Sequence, residues 1–156
     1  MADLTTDLSK FLANLPAFAP IKRASVTLTN AQVLNLRATP ITLVAAPGAS
    51  KRLIFQNAFL KLSAAAGAYT ETADNLVVRY VDGSGVIVSE AIEMTGFINQ
   101  AAVMHTNGRA KVDGIATVAQ GVNVPLVLHN SGDGEFGGGN AANTLQVITQ
   151  YLVIDV

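Results

Sequence analysis

The sequence predicts an all-β fold: a jelly-roll-like β-sandwich of about eight strands with an N-terminal helical arm. Three observations carry this prediction. Segments of period-two alternation recur from Arg23 to the C-terminus, parted by Pro-Gly, Asp-Gly and glycine-rich turns. No long helical pattern lies between them, which argues against a doubly wound α/β fold. Ahead of them, residues 3–15 repeat apolar positions at helical spacing and stop at Pro16. The chain therefore divides into an arm, residues 1–22, and a β-sandwich domain, residues 23–156.

In the arm, Thr5 or Thr6 can cap a helix whose first turn Asp7 favours. Leu4, Leu8, Phe11, Leu12 and Leu15 then share one face. Pro16-Ala-Phe-Ala-Pro20 follows as a stiff, extended connector. So short a helix is marginal alone, and its apolar face must pack against something. Burying five such side chains contributes at most about 7–10 kcal/mol. The proline-bounded connector favours docking on a neighbour over folding back on the chain's own sheet.

The strands are expected in this order. Val26 and Leu28 alternate with Ser25, Thr27 and Thr29 in a half-buried strand. Ala31–Arg37 and Ile41–Ala46 follow, parted near Thr39-Pro40, and Pro47-Gly48 is a turn. Leu53–Leu62 is a long apolar strand containing Phe55 and Phe59, and the small, polar residues 63–74 form a loop. Leu76–Val81 and Val86–Met94 flank Asp82-Gly83-Ser84-Gly85, a hairpin signal. Gly96–Gly108 is less regular; Lys111–Ala119 and Val124–His129 are further strands. Residues 131–143 are a Gly- and Asn-rich loop, and Leu145–Val153 closes the domain. A two-sheet sandwich fits this series best, with an up-and-down barrel as the alternative.

The 156 residues make about one domain. Charged residues are 13% of the chain, against about 25% in an average soluble domain. A 16.2 kDa monomer should expose roughly 7,500 Å², so its charges are sparse. Coverage by a partner, or by copies of itself, explains such a surface. The net charge of −1 conceals an asymmetry: residues 1–61 hold seven basic and two acidic side chains, residues 62–156 three basic and nine acidic. A molecule so polarised orients on a charged surface or packs head to tail. No run approaches the roughly 20 apolar residues of a membrane-spanning helix, and the N-terminus does not resemble a secretory signal. Scattered basic residues without interleaved aromatics are a poor nucleic-acid footprint. With no cysteine in the chain, disulfides and thiolate metal sites are excluded.

Few motifs carry chemistry. Gly132-Asp-Gly134-Glu-Phe-Gly137 matches the dinucleotide-binding pattern, but only 19 residues follow it, too few for a helix and a further strand. Asp133, Glu135 and Asn140 offer oxygen ligands without calcium-loop spacing. Gly83-Ser84-Gly85 lacks the spacing of a nucleophile elbow. His105 and His129, far apart in sequence, are expected at the surface or at strand ends. Glu90 and Glu93, three apart on a strand, would face opposite ways and not act on one bond. No catalytic residue, metal ligand or cofactor is therefore assigned, and no enzymatic activity is expected.

A resemblance enters through Leu34-Asn-Leu-Arg-Ala-Thr-Pro-Ile-Thr-Leu-Val-Ala-Ala-Pro-Gly48, Leu76-Val-Val-Arg-Tyr-Val-Asp-Gly-Ser-Gly85, Thr95-Gly-Phe97, and Pro125-Leu-Val-Leu-His129 with the glycine-rich loop and Leu145–Ile154 after it. In texture and order this resembles short structural proteins of tailed bacteriophages, over roughly residues 26–154. The head decoration, or cement, type is the expected role. That resemblance implies a virion component on the outer surface of the head, often a homotrimer. Its partners would be the major capsid protein and sister copies, with neither nucleic acid nor membrane bound. In such an assembly the arm residues Leu4, Leu8, Phe11, Leu12 and Leu15 would reach a neighbouring subunit, while Phe18, Ile21, Lys22 and Arg23 anchor the connector. Two rivals are a tail or fibre module binding a host-surface glycan and a small polysaccharide hydrolase. Few aromatics, 6% with no Trp, argue against the first, and the lack of convergent carboxylates against the second.

Overall fold

Two long strands frame the domain in the computed structural model, which describes residues 19–64, 67–112 and 118–156. β3 (Lys51–Ser63) and β10 (Thr144–Asp155) pair antiparallel from Thr144↔Ser63 to Asp155↔Lys51. The buried positions of β3 change parity partway: Leu53 and Phe55, then Ala58, Leu60 and Leu62. An uninterrupted strand would send one of these sets to solvent. Gln56 resolves the conflict as an unmatched residue between the pairs Tyr151↔Phe55 and Gln150↔Asn57. This β-bulge turns both sets toward the core.

β1 (Lys22–Thr29) lies along β10, and β7 (Val103–Arg109) along β3, giving the sheet order β1-β10-β3-β7. The second sheet runs β2-β8-β5-β6, from β2 (Ile41–Val44), β8 (Leu126–Asn130), β5 (Asn75–Tyr80) and β6 (Ile92–Glu93). A two-residue ribbon pairs β4 (Tyr69–Thr70) with β9 (Gly137–Gly138). All pairings are antiparallel. Leu28, Leu60, Leu62, Leu145 and Val147 of the first sheet are fully buried, as are Leu76, Val78, Leu126 and Leu128 of the second, and they share one core. The expected all-β architecture is thus present.

Several elements differ from the sequence expectation. Ala31–Arg37 is not a strand: Asn30–Val33 form a helical turn, α1, followed by further turns. A capping box starts it, with Thr29 Oγ1 accepting the Gln32 N–H at 3.4 Å and Gln32 Oε1 accepting the Thr29 N–H at 2.9 Å. Val33 and Leu36 are both fully buried; three positions apart, they share a helical face but would split across a strand. Val86–Met94 is not continuous either. Arg79 bridges Ile87, but Ser89 Oγ accepts the Val78 N–H at 2.8 Å in place of a backbone carbonyl, and pairing resumes only at β6.

Lys111–Ala119 is likewise not a strand over its described part. Val112 stands 96% exposed in a turn, and a helical turn, α2, spans Val118–Gly121. Conversely, the irregular stretch before it contains β7. The loop residues 63–74 and 131–143 supply β4, β9 and two core aromatics, Tyr69 and Phe136. The arm expected over residues 1–22 lies outside the described residues up to Phe18, and β1 begins at Lys22.

Candidate interaction surface

The expected partner-interface residues Leu4, Leu8, Phe11, Leu12, Leu15 and Phe18 lie outside the described residues. Ile21, Lys22 and Arg23 are exposed at the start of β1, Ile21 at 65%. Beside them Lys22, Val44, Pro47, Leu53, Tyr151 and Val153 line a shallow cleft of about 290 Å³. The chain leading into β1 therefore runs past a partly apolar recess at one end of the sandwich.

The largest feature that sequence reading missed is the outer face of the first sheet. Alternation places Arg23, Ser25 and Thr27 of β1 on this face. Gln146, Ile148, Gln150 and Leu152 follow on β10, and Ile54, Asn57, Phe59 and Lys61 on β3. Val103, His105 and Arg109 complete it on β7. Cross-strand pairs Ile148↔Phe59 and Leu152↔Ile54 form two apolar rungs. Between them Asn57 Nδ2 donates to Gln150 Oε1 at 2.9 Å, and below them Gln146 Nε2 donates to Ser25 Oγ at 3.2 Å. The His105 ring stacks on Phe59 at 5.2 Å between centroids. The charges on the face are all basic: Arg23, Lys61 and Arg109. The four strands contain one carboxylate, Asp155, which pairs with Lys51 at 2.8 Å at the sheet's end.

Acidic groups gather instead around the second sheet. Glu93 lies on β6, its edge strand, and its carboxylate accepts the N–H groups of Met94 and Thr95. These bonds, the Thr95 one foremost, hold its pKa below the ordinary glutamate value. Thr95 Oγ1 in turn donates to Glu71 Oε1 at 2.9 Å. Asp133 is exposed in the loop after β8. At the opposite end, hydrogen bonds from the Ser84 hydroxyl and N–H lower the pKa of Asp82.

The chemical motifs resolve into structural roles. A Cβ at Gly132 would lie 2.0 Å from Asp74 Oδ1, so that glycine permits close approach to a buried carboxylate. Gly137 belongs to a strand and starts no helix. The Glu135 carboxylate accepts the N–H groups of Arg37 and Ala38 at 2.9 and 2.7 Å, and Asn140 Oδ1 accepts from Ala142. Glu90 Oε1 accepts the Val112 N–H at 3.2 Å, away from Glu93's partners. Ser84 serves the Asp82 turn. His105 is exposed; His129, one residue from the end of β8, is buried, with its ring against Gly83. Burial, then the positive charges of Arg79 and Arg37, lowers its pKa.

No family model matches the chain, and no curated protein matches it. Among solved structures, one similar chain belongs to the capsid of Ralstonia phage GP4. It is 14% identical over 88% of each chain, with a TM-score of 0.46. A likeness of that score and identity assigns no role.

Proposed function

We propose that the chain is a bacteriophage virion component: a head decoration, or cement, protein that binds the outer capsid surface and bridges neighbouring capsomers. The observation that carries this reading is the strand order. With the β4–β9 ribbon set aside, β1-β10-β3-β7 against β2-β8-β5-β6 distributes eight strands as a jelly roll does. Viral capsid domains commonly use that architecture. Lectins use it too, but Phe59 is the one aromatic among the exposed large apolar side chains of the described residues. The sequence resemblance to short phage structural proteins supports the capsid role independently.

In this reading the protein acts by binding rather than catalysis. Glu90, Glu93 and Glu135 are each engaged by backbone N–H groups at separate places, which suits structural use. Copies of the sandwich, as a trimer, contact the major capsid protein, and residues 1–22 reach an adjacent subunit. A ligand that binds only the closed lattice stabilises it by mass action, and many modest contacts reinforce one another. Nucleic acid and membrane take no part.

Quantitative mass spectrometry of purified particles tests the reading. It expects about one copy of this chain per major capsid subunit. A ratio far below that moves the protein to the tail or a fibre, and absence from particles overturns the reading. Removing residues 1–20 should leave a folded domain that binds capsids poorly; undiminished binding would reject the arm's role.

A further inference from the structure

The structure assigns a second, opposed pair of surfaces: the basic outer face of the first sheet docks onto the acidic end of the second sheet in another copy of this chain. This goes beyond the capsid reading and does not rest on it. One surface offers Arg23, Lys61 and Arg109 around the apolar rungs Ile54–Leu152 and Phe59–Ile148. The other offers Glu93 and Asp133, both exposed, with the Glu93 carboxylate fixed by the N–H groups of Met94 and Thr95. Among the described residues the ion pair within the chain is Lys51–Asp155, so none of these charges is paired with another described side chain.

Charge sign fixes the geometry. Two copies meeting through the same sheet face would set Arg23, Lys61 and Arg109 against their own equivalents, which costs energy. A basic face meeting an acidic end is favourable and heterologous, so each copy uses one surface of each kind. Rings follow where the rotation closes, a trimer among them. Strands 7 to 13 residues long, roughly 4.8 Å apart, make a face of roughly 600 Å². This falls short of the roughly 800 Å² per partner of a standard stable complex. The contact is therefore weak for an isolated pair and gains strength when a ring closes.

Sedimentation of the full chain tests this with two variants. The face variant carries Lys61→Glu and Arg109→Glu. The end variant carries Glu93→Gln and Asp133→Lys, where glutamine retains an acceptor for the Thr95 N–H. Wild type should self-associate at about 20 mM salt and at least about tenfold more weakly at about 500 mM. Each variant alone should be monomeric; the face variant should keep its melting temperature, and the end variant should lose only a little, from the weaker acceptor at residue 93. An equimolar mixture should form a dimer and nothing larger, because one intact surface of each kind remains. A wild type that stays monomeric at low salt overturns the inference, as do variants that associate like wild type or a mixture that restores no dimer. Loss of melting temperature in the face variant without loss of association would assign that face to the chain's own N-terminal segment instead, and also overturns it.

Discussion

Deleting Gln56 should cripple the sandwich, whereas Gln56→Ala should be nearly silent. Gln56 has no cross-strand partner on β10, and its side-chain hydrogen bond to the neighbouring Phe55 carbonyl is long, 3.4 Å. Its contribution is its place in the count. Without it β3 alternates unbroken, and if residues 57–63 hold their register, Leu53 and Phe55 rotate outward from 1% and 4% exposure. Exposing two such side chains costs about 3–6 kcal/mol. Ile54 turning inward recovers about 1–2 kcal/mol of that. The Tyr80 hydroxyl, which donates to the Leu53 carbonyl at 2.5 Å, loses a buried partner, adding about 1–3 kcal/mol. The net loss is about 5 kcal/mol, within bounds of about 2 to 8, comparable to the whole stability of many domains. The chain has no Trp, so urea unfolding followed by far-ultraviolet circular dichroism is the suitable assay. A deletion costing less than about 1 kcal/mol would refute the parity argument. So would a Gln56→Ala variant as damaged as the deletion.

Other perturbations have equally definite outcomes. Burial, then the charges of Arg79 and Arg37, lowers the His129 pKa, against a backbone hydrogen bond with Arg37 and the charge of Glu135. Above the unfolded value near pH 6.5 its contribution is fully present. As pH falls below that, the unfolded chain takes the proton first, so stability declines until the lowered folded value is reached. Urea midpoints across this window should fall with acidification, and His129→Gln should flatten the slope; an unchanged slope would reject the assignment. Gly85→Ala should cost about 2 kcal/mol or more, since its Cβ would lie 1.7 Å from the Tyr80 carbonyl oxygen. Val81→Asn should instead raise the melting temperature, by relieving about 1 kcal/mol of strain at a β-branched residue whose φ is 66°. Thr29→Ala should remove the α1 cap at a cost of about 1 kcal/mol in the same unfolding assay.

The elements legible in the sequence are those whose pattern survives locally. Leu53–Leu62 and Leu145–Val153 lie within β3 and β10, and Leu76–Val81 and Val124–His129 overlap β5 and β8. The hidden elements each lack the signal that alternation needs. β7 ends in Asn107-Gly108-Arg109, and Gly108 has no side chain because a Cβ would meet Ile92 at 2.5 Å. β9 is Gly137-Gly138, whose pairing with Tyr69-Thr70 is long-range. For α1 the information was local, in Thr29-x-x-Gln32, but the apolar run Val33-Leu34 with Leu36 imitates a strand. The candidate surface was less legible than the fold. Its outward residues on β3 cannot be listed without the bulge at Gln56, because every assignment along that strand beyond it inverts.

The charge asymmetry along the chain becomes spatial through topology. Residues 22–61 supply β1 and most of β3, which flank β10 in one sheet. The acidic middle of the chain supplies β6 and the connections of the other sheet, and β10 returns with a single carboxylate, spent on Lys51. Had the signs been interspersed, each sheet could have paired its own charges across strands. Such exposed pairs contribute little, with a median of about 0–1 kcal/mol, so keeping the signs apart costs the isolated fold almost nothing. What it does leave, among the described residues, is two surfaces of opposite sign with no ion pair across them. Surface charge on this chain should therefore govern association rather than folding, and Lys61 or Asp133 can be reversed without unfolding the domain that presents them.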